Sequence, residues 1–355
     1  MEKVPIKPGR ARIHALLFGL CALCTAMILL PELCAPLSLL VPLLACPLVG
    51  RREEPVVYLA AAMPAVSSLM AGYDTLYATS LALTGGLSLL ATKLLPPQKR
   101  AGSSGILWYM GAVATALTAI IASASRALGG PLWQSLTEML VNAIAQHEQA
   151  GLLLYRFAAA GLISMPEGYA GSMALMHVFE PLFMNQMLMS LRLTLENLLF
   201  EMLPAIFVQA SVMVGLFTAL RVQRMNGVIL VVEARADGEK KARVAVPPGF
   251  RLIMLPPKAR WPITLMAVAA LILMMSEAAL MQIVGQMCYT VFETSFMLVG
   301  AAVVVFVFSS RHPERRTLFG ILAAALYVFV PFMLFLIGLT DQTFHYRIKR
   351  SGSPD

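Results

Sequence analysis

Charge is what this chain has least of. Asp, Glu, Lys and Arg make up 13% of its 355 residues, against a hydrophobic share of 59%. Soluble globular chains carry about 25% and about 45–50%. A water-soluble domain of this length could not hide so much apolar surface, and that class is excluded. Histidine is scarce as well: His14, His147, His177, His312 and His345 are the full set, and none pairs convincingly with another as metal ligands. The chain has no Walker A sequence, no dinucleotide glycine fingerprint, no His-Glu-x-x-His and no Gly-x-Ser-x-Gly. No nucleophile–base pair, metal site or cofactor follows from the sequence, which points to a non-enzymatic protein. Five cysteines, Cys21, Cys24, Cys34, Cys46 and Cys288, lie in or beside apolar runs. Cys21-x-x-Cys24 has redox spacing, yet inside a spanning helix it reads as small apolar packing.

What is abundant is long uncharged sequence. Ala15–Pro31, Leu33–Gly50, Val56–Tyr73, Thr75–Thr92, Ala101–Ser125, Met202–Leu220 and Thr317–Thr340 contain no charged residue, and Trp261–Gln286 and Met287–Ser310 contain one Glu each. A hydrocarbon core about 30 Å thick takes roughly 20 apolar residues as helix, because each backbone amide must be satisfied internally. The expected fold is therefore an all-α integral membrane protein with eight to nine transmembrane helices. Leu33–Gly50, short and interrupted by Pro36, Pro42 and Pro47, reads as a kinked or re-entrant segment. The basic start followed by an apolar run reads as a signal anchor. Three regions are expected: an N-terminal bundle over 1–125, an extracytoplasmic segment over 126–197 and a C-terminal bundle over 198–355.

The basic residues orient the protein. With the N-terminus in the cytoplasm, the first residues and loops 51–55, 93–100, 221–260 and 311–316 lie inside and hold 21 of the 27 Lys and Arg. Arg126, Arg156 and Arg192 lie outside. This is the positive-inside bias of a bacterial cytoplasmic membrane protein. Nine crossings would leave Arg347, Lys349 and Arg350 outside, against the rule, and the short second segment is the first suspect for a miscount. Charge spread over loops in this way suits anionic lipid headgroups rather than nucleic acid.

Two segments stand apart from the spans. Residues 126–196 carry apolar residues at helical spacing, Leu132, Leu136, Met139, Leu140 and Ile144, then Met184, Met187, Leu191 and Leu195. They read as amphipathic helices, with the methionines (Met173, Met176, Met184, Met187 and Met189) as packing filler. On the inner side, Val228–Ala234 and Lys241–Val246 flank Asp237-Gly238 and read as a small β-hairpin. Two strands alone are marginal in water, so loop 228–246 is expected to dock on the membrane face, a partner or a second copy.

The remaining chemistry is acids at membrane depth. A charge at a helix centre costs about 2.5–3.5 kcal/mol on insertion scales. Glu201, Glu277 and Glu293 fall on successive expected helices, about 5–10 Å beneath the outer surface at 1.5 Å per residue. Three carboxylates at one depth suit a cation, a proton or a basic solute, with Arg192, Gln209, Tyr289 and Thr290 as partners. The alternative reading is that each acid reaches water or pairs locally.

In the C-terminal half, Leu203-Pro204-Ala205-Ile206, a helix ending in Leu220-Arg221, then Phe250-Arg251, Trp261, Ile337-Gly338-Leu339-Thr340-Asp341 and Phe344-His345-Tyr346-Arg347 form a series. It resembles the YybS-like family of bacterial multi-pass membrane proteins of unknown function, over roughly residues 10–350 in helix layout. The resemblance implies a bacterial inner-membrane protein and supplies no catalytic residues. The layout is also loosely similar to the solute-binding S-components of energy-coupling-factor transporters, an analogy of fold alone. Together these readings favour a transporter-like or solute-binding membrane subunit, with a scaffold for envelope or division machinery as the alternative.

Overall fold

The computed structural model describes residues 10–96, 103–166, 177–226, 230–236, 239–245, 250, 257–311 and 315–344. Lys99, Arg100, Met173, Met176, Asp237-Gly238, His312, His345, Arg347, Lys349 and Arg350 lie outside the described residues. The helices are α1 (Arg10–Leu29), the short α2 (Cys34–Ser38) and α3 (Val41–Ala45), α4 (Glu54–Met70), α5 (Thr75–Leu94), α6 (Ser103–Ala127), α7 (Leu132–Ala145), α8 (Ala150–Ala159), α9 (Pro181–Asn226), α10 (Pro257–Met274), α11 (Ala279–Arg311), α12 (Arg316–Phe329) and α13 (Pro331–Phe344). Between α9 and α10, β1 (Leu230–Ala236) pairs antiparallel with β2 (Glu239–Ala245), Leu230 facing Ala245 and Ala236 facing Glu239.

Among the described residues five helices are long and apolar enough to cross a membrane: Ala11–Leu29, Thr75–Leu94, Gly105–Ala127, Pro181–Gln223 and Met281–Ser309. The number rises to seven if each of two bent pairs is one span, short of the eight to nine expected from charge-free runs. The difference has local causes. Glu54–Met70 and Trp261–Met274 are apolar but short. Thr317–Thr340 is not one rod; it breaks at Val330-Pro331 and bends by 113°. The expected boundary between Trp261–Gln286 and Met287–Ser310 also moves, because the helix ends at Met274 and restarts at Ala279. In that break the Ser276 hydroxyl accepts from the Ala278 amide at 3.3 Å, and the Gln282 side chain donates to the Ser276 carbonyl at 2.9 Å.

The chain divides into two compact units, Met1–Ile120 with Phe207–Asp355, and Ile121–Ile206. In the first, the kinked 31–48 segment bends by 61° and runs back along α1. Leu44 packs over Gly19, and the Cys34 thiol donates to the Met27 carbonyl. Asp74 starts α5 by accepting from the Leu76 and Tyr77 amides at 3.0 and 3.3 Å, a side-chain N-cap. The buried face of α5 is a stripe of hydroxyls at four-residue spacing: Ser80, Thr84, Ser88 and Thr92. Each returns its proton to a carbonyl one turn back, which removes an unsatisfied donor from the apolar core. Gly85 on the same side lets Ala61 and Val41 approach closely.

The C-terminal part of this unit packs around α11. Gly300 faces the Leu334 carbonyl and Gly338 faces the Phe296 carbonyl, so α11 and α13 meet backbone to backbone. Phe308 stacks on Phe319 at 5.3 Å to join α11 to α12. Arg51, between the kinked segment and α4, donates to the Pro47 carbonyl at 3.3 Å and to the Met225 carbonyl at 2.8 Å.

The second unit has its own apolar core of Leu154, Ile163, Val178, Phe183, Met187 and Leu191. Met187 is fully buried, Met184 half-buried and Met189 exposed, so these three methionines present no common face. In α7, Met139 and Leu140 are exposed.

Candidate functional site

Polar side chains are costly inside an apolar bundle unless they find one another. Around α11 they do. Thr290 and Thr294 are buried, one turn apart, with Tyr289 and Glu293 half-buried beside them. The Thr290 hydroxyl donates to the Gln286 carbonyl at 2.8 Å, and Tyr289 packs against Phe292. From α12, Tyr327 enters this group one turn before the break at Val330-Pro331. Its hydroxyl accepts from the Gln209 carboxamide of α9 at 2.6 Å, interacts with the Thr294 side chain, and lies in the field of the Glu293 carboxylate. Three helices thus contribute Glu293, Thr294, Tyr327 and Gln209 to one polar cluster.

The acids expected from the sequence fall in different settings. Glu293 lies 14 residues into α11, about 21 Å along the helix from its start at Ala279. Glu277 is not helical: it sits exposed in the break between α10 and α11, so it shares no helix face with its neighbours. Glu201 is exposed on α9, in the second unit. Arg192, in the same unit, pairs with Glu138 at 2.8 Å, both side chains more than half exposed, a geometry worth little to stability. Gln209, another of the expected partners, donates to the Tyr327 hydroxyl.

Sequence reasoning missed Tyr327 and Thr294. Both are ordinary in apolar helices, and only the return of α12 along α11 sets them beside an acid. Gln342 was missed too. It is buried near the end of α13, next to buried Asp341, and neither polar atom of its side chain has a hydrogen-bond partner among the described residues.

Two grooves flank α5. One, about 450 Å³, lies against α6 between Leu90, Leu94, Leu107 and Trp108. The other, about 480 Å³, lies against α4 with Ala61, Ala62 and Gly86 along it. Lys93 stands at its edge, 3.1 Å from Glu54 and 5.1 Å over the Tyr58 ring. Both are open and mainly apolar, suited to lipid chains rather than to a polar solute. Among the described residues no group of three or more His, Cys, Asp or Glu could hold a metal ion. Compared with family models, curated proteins and solved structures, the chain has no match.

Proposed function

We propose that this protein is a transporter-like or solute-binding subunit of a bacterial cytoplasmic membrane, with its N-terminus inside. Its site takes a cation on Glu293. The observation that carries the reading is an acid well inside a 33-residue apolar helix, one residue from buried Thr294 and near the Tyr327 hydroxyl of α12, which accepts from Gln209 of α9. Ionisable residues at such depth are expensive and mark ion or solute pathways. Discontinuous helices at membrane depth mark binding sites of transporters, and Tyr327 lies one turn from such a break. The YybS-like resemblance belongs to the same proposal and adds no site residue.

Sodium is the probe. Replacing choline with sodium at constant ionic strength raises the unfolding temperature of the detergent-solubilised wild-type protein. A ligand at 100 times its dissociation constant stabilises by about 2.7 kcal/mol. Glu293→Gln, which keeps the shape and removes the charge, does not respond. Equal responses in both proteins, or none in either, remove the cation site.

A scaffold role has one observation in its favour: among the described residues the β1–β2 ladder has two strands and no third. Both outer edges then offer unpaired backbone to a further strand. Deleting 228–246 leaves the helices inserted and lowers crosslinking to a partner or second copy. An unchanged crosslinking pattern eliminates docking through this loop.

A further inference from the structure

We infer that α12 and α13 form a re-entrant hairpin, entering and leaving the membrane on one face and carrying Tyr327 to Glu293 near its tip. The inference does not rest on the proposed cation site. It rests on length, angle, surface and charge. The two legs, Thr317–Phe329 and Pro331–Phe344, are each about 20 Å long at 1.5 Å per residue. Neither reaches across a hydrocarbon core of about 30 Å. Joined at a bend of 113°, their far ends lie about 22 Å apart, still short of that thickness. A bend beyond 90° also sends the second leg back toward the side from which the first came.

The elbow is built for lipid. Val328, Phe329 and Phe332 are 71%, 81% and 64% exposed, and Met333 and Val330 are exposed beside them. An elbow at a membrane surface would present polar groups to water; this one presents hydrocarbon. Its backbone is also dressed for a dry setting, where unsatisfied amides are costly. The Val330 amide donates to the Leu326 carbonyl at 2.9 Å, the Met333 amide donates to the Val330 carbonyl at 3.2 Å, and Pro331 has no amide hydrogen to satisfy. Polar residues gather instead at the far end of α13, at Thr340, Asp341, Gln342 and Thr343.

Charge supplies an independent line. Arg315 and Arg316 precede the first leg, and Arg347, Lys349 and Arg350 follow the second in the sequence. A continuous span would put these two basic groups on opposite faces, which the positive-inside rule disfavours. A hairpin puts both on the same face. The misfit of the last basic group then originates in α12–α13, not in the kinked 31–48 segment, which runs back along α1.

Thiol accessibility tests the hairpin in a full-length background with the five native cysteines replaced. Thr317→Cys and Thr343→Cys, both at exposed positions, react with an impermeant maleimide in inverted vesicles and resist it in intact cells, as an Arg52→Cys marker does. Val330→Cys at the elbow reacts in neither. Labelling of Thr343→Cys in intact cells while Thr317→Cys stays protected makes the pair a span and overturns the hairpin. Failure of Thr343→Cys to react in either preparation, with Arg52→Cys reacting, overturns it too, because the end of a returning leg must meet water. If the cysteine variants do not insert, alkaline phosphatase fused to the C-terminus of the native chain reports the same face. An inactive fusion is expected, and an active one overturns the hairpin.

Discussion

Replacing Gly338 or Gly300 with leucine removes the folded C-terminal bundle. A Cβ on Gly338 would overlap the Phe296 carbonyl oxygen, and one on Gly300 would overlap the Leu334 carbonyl oxygen. Extra carbon in a packed core costs about 1–3 kcal/mol where neighbouring side chains can shift. Here the neighbour is helical backbone, which cannot yield without parting the helices, so the loss exceeds about 3 kcal/mol. The measurement is the fraction that runs as a monodisperse peak in detergent after a temperature series, and both leucine variants aggregate at temperatures the wild type withstands. Gly320→Ala is the control, since nothing lies within 4 Å of the added carbon; alanine there is neutral or gains up to about 1 kcal/mol from helix propensity. Wild-type behaviour of Gly338→Leu would mean that α11 and α13 do not approach as described.

Arg51→Met unfastens the end of α9. The last carbonyls of any helix lack intrahelical partners, and a cation there also meets the negative end of the helix dipole. Arg51 fills both needs at Met225 while holding the Pro47 carbonyl with its Nε. Burial pulls its pKa below the ordinary arginine range, the mark of a guanidinium that has given up water for these carbonyls. Hydrogen bonds from charged donors contribute about 1.5–3 kcal/mol. Arg51→Met therefore lowers stability by about 2 kcal/mol and speeds amide hydrogen exchange in the last turns of α9, around 219–226. Arg51→Lys restores only part of the protection, since one ammonium cannot copy a planar fork of donors. Unchanged exchange in Arg51→Met would show that the contact does no structural work.

The sequence was most informative where membrane physics leaves few choices. A lipid solvent dictates long uncharged helices, and charge-free runs reveal them whatever the tertiary fold. The same criterion misplaced helix ends. Ser276-Glu277 is the true break after α10, but one acid in a long apolar run reads as a rare buried charge rather than as a turn. Pro331 was visible, yet proline is tolerated within spanning helices, so its presence did not reveal a reversal. For the site, rarity pointed to Glu293 and Gln209 in helices that otherwise lack such groups. Tyr327 has no such signature, and its role follows from α12 folding back along α11. Gly300 and Gly338 were silent for the opposite reason: glycine is common in membrane helices, and only the partner backbone shows which ones are indispensable.

The joint at Val330-Pro331 has a mechanical consequence. One leg of the pair, α13, is clamped to α11 by backbone contact at two glycines. The other, α12, meets α11 through side chains such as the stacked Phe308 and Phe319. Because proline offers no amide hydrogen, the angle between the legs can change there without stripping a hydrogen bond at that residue. The pair is therefore a strut held by backbone contact joined to an arm held by side chains, and Tyr327 rides on the arm. Any swing of α12 moves the tyrosine hydroxyl relative to Glu293 while the strut holds the rest of the bundle in place.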